Sequence, residues 1–461
     1  MTTTYRTQNP ATGELLEEFP YATDDDIQQA MADAAKAYTS WSALAMAERG
    51  SILSKLADLF EENAEELAAQ ATLEMGKNSR EAIGEVKYCA RIIRYYATEG
   101  ERLAADQELK NIDGQTAILR RRTIGTILGI MPWNYPYYQV VRFAAPNLML
   151  GNTVILKHAE ICAGTALKIQ ELMRQAGVPE GAYVNVFATH EQVSTMIADP
   201  RIQGVSLTGS ERAGAAVAEQ AGRHLKKAVL ELGGSDPYIV LDSDDIARSA
   251  RRALFSRLSN SGQACTSNKR IIVMDNIYDE FVAELTKLAE QLTPGDPAEA
   301  NRNEYAPLSS QAAAEGLMEQ IEDARKAGAT VHVGGHRPEL PGYYVAPTVL
   351  TDVPETSRAY SEELFGPVVT IYRVQTEDEA IELANSSSYG LGGSVFSTDE
   401  QRAQAVADQL DVGMVHINAF NVGGEDLPFG GVKRSGFGRE LGPLGMDEFV
   451  NKQLLTINTP R

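Results

Sequence analysis

The sequence has little cysteine, no long hydrophobic run and no cluster of basic residues. Three cysteines in 461 residues are too few for a disulfide framework and predict a protein of the reducing cytoplasm. No run approaches the roughly 18 apolar residues of a membrane helix. Residues 1–20 also lack the basic and apolar segments of a secretion signal, so we expect neither membrane association nor export. The 63 acidic and 42 basic residues leave a net charge of −21, which argues against a nucleic acid partner.

The remaining composition is typical of a globular protein with two or three domains. Hydrophobic residues make up 43% of the chain and charged residues 23%. In the first hundred residues apolar side chains recur every three or four positions, which predicts helices. One helix begins after Thr23, a capping residue, and another is predicted from Ser51 to the residue before Gly76.

From Thr123 onwards, short strand-like runs alternate with helical segments. These runs are TIGTILGI, TVILK, YVNVFA, GVSLTG, KKAVLEL, YIVL, RIIVM, ATVHVGG and VVTIYRV. The alternation predicts two α/β domains, each a parallel sheet with helices on both faces, and a boundary near Gly233-Gly234. Before them, residues 105–122 are predicted to form a hairpin that turns at Asp113-Gly114. A partner subunit is one way to cover the exposed edge of such a hairpin.

Two residues have the surroundings expected of catalytic groups. Cys265 lies in SNSGQACTSNKR, among small and polar residues, whereas a cysteine that fills a core usually lies among Val, Leu and Ile. Cys89 and Cys162 have helical surroundings and are interpreted as structural. Glu231 ends an apolar strand in VLELGGSDP; alone it could be an ordinary surface residue. The two glycines after it, however, allow a ligand to approach a strand end, which is where parallel sheets collect active sites.

Three further segments follow predicted strands. Asn134, in MPWNYP, could donate to a developing oxyanion, although the tryptophan and prolines around it could also build a rigid turn. In GVSLTGSERAG, Gly209 and Ser210 precede a helix whose N-terminus would favour a phosphate, but no G-x-G-x-x-G fingerprint accompanies them. Lys157 and Glu160, in ILKHAE, could contact ribose hydroxyls or form an ordinary solvated pair.

In order and spacing, these segments resemble the aldehyde dehydrogenase superfamily, and the resemblance spans nearly the whole chain. The motifs that carry it are NPATGE (9–14), TLEMGK (72–77), PWNYP (132–136), LTGSERAG, ELGG (231–234), GQACT (262–266), EELFGPV (362–368) and PFGGVKRSGFGRE (428–440). The resemblance implies NAD(P)-dependent oxidation of an aldehyde to an acid. Cys265 would attack the carbonyl, Asn134 and the Cys265 amide would stabilise the oxyanion, and Glu231 would activate the water that hydrolyses the thioester.

The same resemblance implies where a nicotinamide dinucleotide would bind. The matching positions are Lys157 and Glu160 at the adenosine ribose, Trp133, Gly209 and Ser210 near the pyrophosphate, and Glu363 and Phe365 at the nicotinamide end. A carboxylate at Glu160 would accept bonds from both ribose hydroxyls but repel a 2′-phosphate, so we predict NAD as cofactor over NADP. NADP stays possible through Lys157. No metal site is predicted.

The segment PWNYPYYQVVRFAAPNLMLGN resembles a bacterial group of succinate-semialdehyde dehydrogenases within the superfamily. Arg142 matches a carboxylate-binding arginine of that group, and Gln139, three residues earlier, shares its helix face. Ser259 stands where other members have a second arginine, for which Arg270 could compensate. The implied substrate is an aldehyde that carries a carboxylate. The alternatives are another small aldehyde, uncharged or aromatic, with Arg142 structural, or a binding protein without turnover.

The resemblance also implies a domain plan. Residues 1–101 and 123–233 would form the Rossmann-like NAD-binding domain, and residues 234–441 the catalytic domain. Residues 102–122 and 442–461 would form a small β element through which the chain assembles, as the family does, into a homodimer or homotetramer.

Overall fold

A helical layer and a parallel sheet form the first half of the chain in the computed structural model, which describes residues 4–109, 116–299, 301, 303–420 and 422–457. The strands of this half are β1 (Thr4–Gln8), β2 (Leu15–Pro20), β3 (Gln107–Leu109), β4 (Thr116–Thr123), β5 (Thr126–Met131), β6 (Thr153–His158), β7 (Tyr183–Asn185), β8 (Ile202–Thr208) and β9 (Lys227–Glu231). The helices are α1 (Asp24–Trp41), α2 (Met46–Glu62), α3 (Ala64–Met75), α4 (Ser79–Leu103), α5 (Tyr138–Leu150), α6 (Ala163–Ala176), α7 (His190–Ala198) and α8 (Glu211–Arg223).

The second half is organised around another largely parallel sheet. Its strands are β10 (Pro237–Val240), β11 (Arg270–Met274), β12 (Thr293–Pro294), β13 (Glu304–Tyr305), β14 (Thr330–Val333), β15 (Thr348–Thr351), β16 (Val368–Val374), β17 (Tyr389–Gly390), β18 (Gly392–Phe396), β19 (Met414–Ile417), β20 (Val432–Lys433), β21 (Gly436–Phe437) and β22 (Val450–Ile457). Its helices are α9 (Ile246–Leu258), α10 (Asp275–Glu290), α11 (Gln311–Ala327), α12 (Arg358–Ser361), α13 (Glu377–Asn385), α14 (Glu400–Ala407) and α15 (Gly442–Met446).

The first sheet has the strand order β21-β9-β8-β5-β6-β7, in which all neighbours are parallel except β21 and β9. The chain builds outward from β5 through β6 and β7 on one side, then through β8 and β9 on the other. Ligands of open α/β sheets bind at such a reversal, beside the carboxyl ends of the strands. The segments that follow β5 and β8, with Trp133-Asn134 and Gly209-Ser210, lie at that position.

The second sheet has the order β14-β15-β16-β11-β10-β18-β19, with only β14 antiparallel to its neighbour. Three candidate segments, those of Glu231, Cys265 and Glu363, come directly before its adjacent strands β10, β11 and β16. Because these strands are parallel, the three segments meet at one edge of the second sheet. Glu231 also ends β9, so this edge adjoins the carboxyl edge of the first sheet.

The predicted α/β class with two parallel sheets is confirmed by the strand orders of these two sheets. The nine strand-like runs correspond to β5–β11, β14 and β16. The helix expected from Ser51 to Gly76 is wrong in one respect: it breaks at Asn63 into α2 and α3, and α3 ends at Gly76 with φ +75°. The hairpin of β1 and β2 was not foreseen, because its second strand is exposed and does not alternate.

The third element is an antiparallel sheet with the order β22-β4-β3. Strand β22 pairs with β4 from Thr116↔Ile457 to Thr123↔Val450, so the chain's last described strand joins the predicted hairpin region. The turn expected at Asp113-Gly114 lies outside the described residues. Among the helices that the structure describes, none has the length and apolarity to cross a bilayer.

Candidate active site

Cys265 lies in a loop that is held in an unusual backbone conformation. A short turn at Ser259–Gly262 contains left-handed residues, with φ +50° at Asn260 and +54° at Ser261, which ordinary L-residues rarely adopt. Arg257 is buried and supports this loop: its guanidinium donates to the Gly262 carbonyl at 3.1 Å and to the Ser267 hydroxyl at 2.7 Å. The Cys265 side chain is partly exposed and lines a cavity of about 330 Å³.

Asn134 contacts the same loop from the end of β5. One of its amide hydrogens is donated to the Gln263 carbonyl at 3.0 Å, and Asn260 donates to the Asn134 carbonyl at 2.9 Å. The segment is held in place by Glu85, which accepts the Tyr137 and Tyr138 amides at 2.9 Å each and pairs with the buried Lys77. The structure therefore brings the predicted oxyanion donor to the loop of the predicted nucleophile.

Glu231 is a buried carboxylate at the end of β9. Within the described residues neither of its oxygens has a hydrogen-bond partner. Burial raises the pKa of this carboxyl well above its ordinary value, and the nearby Arg142 opposes that rise. A buried carboxyl with a raised pKa and free oxygens is suited to exchanging a proton with a water molecule.

Burial and nearby charges determine the protonation of Cys265. Burial raises the pKa of the thiol to about 12, and the positive charges of Arg142 and Lys269 act against that rise. The two other thiols are fully buried, and burial likewise raises the pKa of Cys89 and Cys162 well above the ordinary range. Cys265 is thus the thiol with access to the cavity.

Phe365, expected at the nicotinamide end, lies against Trp133, which was expected near the pyrophosphate. The rings of Trp133 and Phe365 meet edge to face, with centroids 5.8 Å apart. The Glu363 carboxylate accepts the Gly234 amide at 3.1 Å and lies 3.0 Å from the Lys269 ammonium. A Cβ atom at Gly233 would lie 2.4 Å from a Glu363 oxygen, so a larger residue there would displace this carboxylate.

Lys157 and Glu160, expected at the adenosine ribose, lie at the end of β6 and just after it, and Gly209 and Ser210, expected near the pyrophosphate, follow β8. Glu160 accepts a hydrogen bond from the Tyr21 hydroxyl at 3.1 Å. Burial lowers the pKa of the Lys157 ammonium, and the Glu160 charge opposes that change. The Ser210 hydroxyl caps α8 by accepting the Ala213 amide at 3.3 Å, and the Gly209 amide donates to the Glu231 carbonyl at 3.0 Å.

These groups have the chemistry that a nicotinamide dinucleotide requires. The first amides of α8 have no carbonyl to accept them within the helix and can meet a pyrophosphate. Glu160 and Glu363 are partly exposed carboxylates that can each accept bonds from ribose hydroxyls. The ring pair of Trp133 and Phe365 adds an apolar surface beside Glu363.

The predicted substrate residues are separated in the structure. Gln139 lines the cavity, but the Arg142 side chain has no exposed surface and pairs with the Glu440 carboxylate behind the Tyr138 and Phe429 rings. The two side chains therefore do not form the direct clamp that their spacing predicted. Every residue of α5 from 139 to 150 is buried, so a shared helix face does not decide which side chain reaches the cavity.

The structure does not bring Arg270 to the cavity and so gives no support to the prediction that Arg270 binds the substrate. Its guanidinium donates to the carbonyl of Ala384 at 3.2 Å, to that of Leu383 and to the Ser386 hydroxyl at 3.1 Å. Arg270 thus anchors the end of α13 and does not line the cavity. Ser259 does line it and donates to a Glu81 carboxylate oxygen at 3.0 Å.

A model of the aldehyde dehydrogenase family matches residues 1–455. The chain belongs to the aldehyde dehydrogenase family. A Deinococcus radiodurans protein named succinate-semialdehyde dehydrogenase, NADP(+), is 53% identical over 451 residues, which cover 98% of this chain and 94% of the relative. A Mycobacterium tuberculosis protein of the same name, numbered 1, is 40% identical over 447 residues, covering 96% and 98%. The resemblance inferred from the motifs is therefore confirmed.

Solved structures agree with these relatives. The crystal structure of succinic semialdehyde dehydrogenase from Streptococcus pyogenes with NADP+ aligns with a TM-score of 0.96 and 42% identity, covering 99% of this chain and 100% of that one. Sequence reasoning missed three residues that contact the candidate site residues in the structure: Glu85, Lys269 and Glu440. Each lies within or near a recognised segment, but its role depends on a partner that is distant in sequence.

Proposed function

We propose that the protein oxidises succinate semialdehyde to succinate with a nicotinamide dinucleotide, through a covalent intermediate on Cys265. The observation that carries the proposal is that Cys265 lines the cavity, that the Asn134 amide donates to the Cys265 loop, and that the Glu231 carboxyl is close enough for its charge to raise the pKa of the Cys265 thiol. The relatives that are 40–53% identical supply the substrate class.

In the proposed chemistry, Cys265, Asn134 and Glu231 each carry out a separate step. The Cys265 sulfur, as thiolate, attacks the aldehyde carbon. The second amide hydrogen of Asn134 and the Cys265 backbone amide donate to the oxygen that becomes negative, which stabilises the thiohemiacetal. A bound nicotinamide dinucleotide supplies the hydride acceptor. Glu231 then takes a proton from the water that hydrolyses the thioester, and the acid product leaves.

We further propose that NAD is preferred over NADP, although the relatives carry NADP(+) in their names. The support is Glu160, whose carboxylate is fixed by the Tyr21 hydroxyl at 3.1 Å. A carboxylate held in this way cannot turn aside without losing that bond, and a 2′-phosphate beside it adds a like-charge repulsion of several kcal/mol.

We therefore expect kcat/KM with NAD to exceed that with NADP by about tenfold or more, since tenfold corresponds to about 1.4 kcal/mol. In Glu160→Ser the ratio should shift toward NADP by about 10- to 100-fold. Initial rates with both coenzymes measure the ratio. Glu180→Ser, a change at an exposed carboxylate, is the matched control and should keep it. Equal or better use of NADP by the unaltered enzyme contradicts the preference.

Two observations bear on the substrate and point in different directions. Arg142 is buried behind Tyr138 and donates a hydrogen bond to the Tyr138 hydroxyl at 3.4 Å. Its positive charge favours an aldehyde with a distal carboxylate. Among the described residues that line the cavity, however, there is no lysine or arginine, whereas Glu81 and Glu85 are present. This acidic cavity lining favours the second candidate substrate, a small uncharged aldehyde.

A comparison of succinate semialdehyde with butyraldehyde distinguishes the two candidates. If the carboxylate is recognised, we expect kcat/KM to favour succinate semialdehyde by about 10- to 100-fold, the value of one charge-assisted contact. Arg142→Met should remove this preference. Because it leaves Glu440 buried without its partner, the double variant Arg142→Met/Glu440→Gln is measured in parallel. Equal kcat/KM values in the unaltered enzyme support the uncharged aldehyde instead.

We also propose that the protein assembles into a homodimer or homotetramer in the cytoplasm. Leu454 and Ile457 on β22 are 61% and 49% exposed, although both are apolar. A second copy that covers this sheet would remove that apolar surface from water.

A further inference from the structure

Lys269 is a buried ammonium that the proposed chemistry does not use. It follows Cys265 by four residues and is 1% exposed. Its Nζ atom lies 2.7 Å from the Ala264 carbonyl oxygen, 2.9 Å from that of Cys265 and 3.0 Å from Glu363 Oε1. An ammonium has three N–H donors, and these three nearest acceptors can take one each. The Ser267 carbonyl oxygen, also in the nucleophile loop, lies farther away at 3.4 Å.

The three acceptors belong to segments with different proposed tasks. The Ala264 and Cys265 carbonyls are part of the nucleophile loop, whereas Glu363 is the carboxylate expected at the nicotinamide ribose. Glu363 Oε1 also accepts the amide of Gly234, in the turn after Glu231. A Cβ atom at Gly234 would lie 2.5 Å from the Cys265 carbonyl oxygen, so this turn packs directly on the loop. One positive charge thus lies where the three segments meet.

We propose that Lys269 is a positioning residue that holds the main chain at Cys265 and the side chain of Glu363 as one unit. This inference rests on the proposed function, in which Cys265 is the nucleophile and Glu363 contacts the nicotinamide ribose. The bond to the Cys265 carbonyl fixes the orientation of that residue and hence the direction of its thiol. The ion pair fixes the direction of the Glu363 carboxylate, whose Oε1 atom lies 3.0 Å from the ammonium.

The positive charge of Lys269 favours the thiolate of Cys265, in addition to the contacts that orient this residue. Lys269 and Arg142 are the positive groups that oppose the effect of burial on the pKa of Cys265. Removal of the ammonium should therefore leave a less reactive thiol as well as a less ordered loop.

The test uses Lys269→Met, which keeps most of the length without the charge, and Lys269→Arg, which restores a cation. The first readout is the rate of Cys265 alkylation by iodoacetamide against pH, followed by peptide mass spectrometry without coenzyme. We expect Lys269→Met to shift the profile upward by about one pH unit or more, and Lys269→Arg to return it toward that of the unaltered enzyme. The buried Cys89 and Cys162 serve as internal references.

The second readout is nucleotide affinity, measured by fluorescence for NADH and by calorimetry for AMP. AMP lacks the nicotinamide half and reports only on the adenosine end. We expect Lys269→Met to weaken NADH binding about tenfold and to leave AMP binding unchanged, because Glu363 is no longer held. A merely structural lysine would affect both ligands or neither.

Arg49→Met is the matched control, because Arg49 is also a buried cation that donates to main-chain carbonyls but it does not line the cavity. Its guanidinium donates to the carbonyls of Met149 at 2.9 Å and of Trp41 and Leu150 at 3.2 Å each. The substitution should lower the thermal midpoint without moving the alkylation profile. The inference is overturned if Lys269→Met matches the unaltered enzyme in both readouts, or if Arg49→Met shifts the profile equally. If the unaltered enzyme neither binds NADH nor reacts at Cys265, the proposed function itself has failed.

Discussion

Replacement of Cys265 by serine is expected to abolish aldehyde oxidation while NADH binding persists. Serine keeps the size and the backbone amide, but a neutral hydroxyl is a far weaker nucleophile than a thiolate. Loss of the nucleophile in a covalent enzyme lowers kcat by on the order of 10⁶. The measurement is the initial rate of coenzyme reduction with succinate semialdehyde.

Cys89→Ala provides the control for this experiment. Cys89 is fully buried in α4, so its loss should reduce thermal stability and leave kcat close to that of the unaltered enzyme. Iodoacetamide should inactivate the unaltered enzyme and Cys89→Ala alike, with one label on Cys265. A Cys265→Ser enzyme that keeps a tenth or more of the normal rate would contradict the covalent mechanism.

The pH dependence of labelling follows from the state of the thiol. Burial raises the pKa of Cys265 to about 12, so the thiol is protonated at neutral pH in the protein without ligands. Only the thiolate reacts, and its fraction grows tenfold with each pH unit below the pKa. The labelling rate should therefore rise continuously from pH 7 to pH 10 without reaching a plateau.

Much of this site could be predicted because its residues lie where strands begin and end. The apolar runs before Asn134, Gly209 and Glu231 mark β5, β8 and β9, and parallel neighbours bring their carboxyl ends to one edge. A short polar loop around Cys265, directly before β11, is recognisable for the same reason. In these cases function depends on position along a strand, which the local pattern of apolar residues reveals.

The substrate residues could not be predicted in this way, because their roles depend on distant partners. Arg142 pairs with Glu440, which lies beyond the whole second sheet in the chain. The side chain of Arg270 is directed by the carbonyls at the end of α13. Spacing on α5 indicated that Gln139 and Arg142 share a face, but a helix that is buried on all sides has no single face toward the ligand. The positive charges of Arg142 and Arg270 did not show from the sequence whether each side chain contacts the substrate or supports the structure around the cavity.

The second large effect is expected at Glu231, where substitution by glutamine should separate the two halves of the reaction. Glutamine has nearly the same shape, and within the described residues the carboxylate oxygens it replaces have no hydrogen-bond partner to lose. Attack by Cys265 and formation of the thioester should proceed. Hydrolysis of the thioester should slow by about 10²- to 10⁴-fold, the usual contribution of a general base.

The expected trace is a rapid burst of one NADH per active site followed by a slow steady rate, recorded by stopped-flow absorbance. Mass spectrometry should then find the acyl group on Cys265. Glu74→Gln is the control: Glu74 is buried and accepts the Gly164 and Thr165 amides at 2.7 and 3.0 Å, at the start of α6. It should lower thermal stability without producing a burst.

The dependence of hydrolysis on pH provides the decisive comparison. Burial raises the pKa of Glu231 well above its ordinary value, and only the ionised form can accept a proton from water. The rate of thioester hydrolysis in the unaltered enzyme should therefore increase with pH at values above the range in which an ordinary carboxyl titrates. Glutamine does not titrate, so in Glu231→Gln this increase should vanish while the burst remains. A variant with a normal steady rate, or with the same increase with pH, would show that another group activates the water.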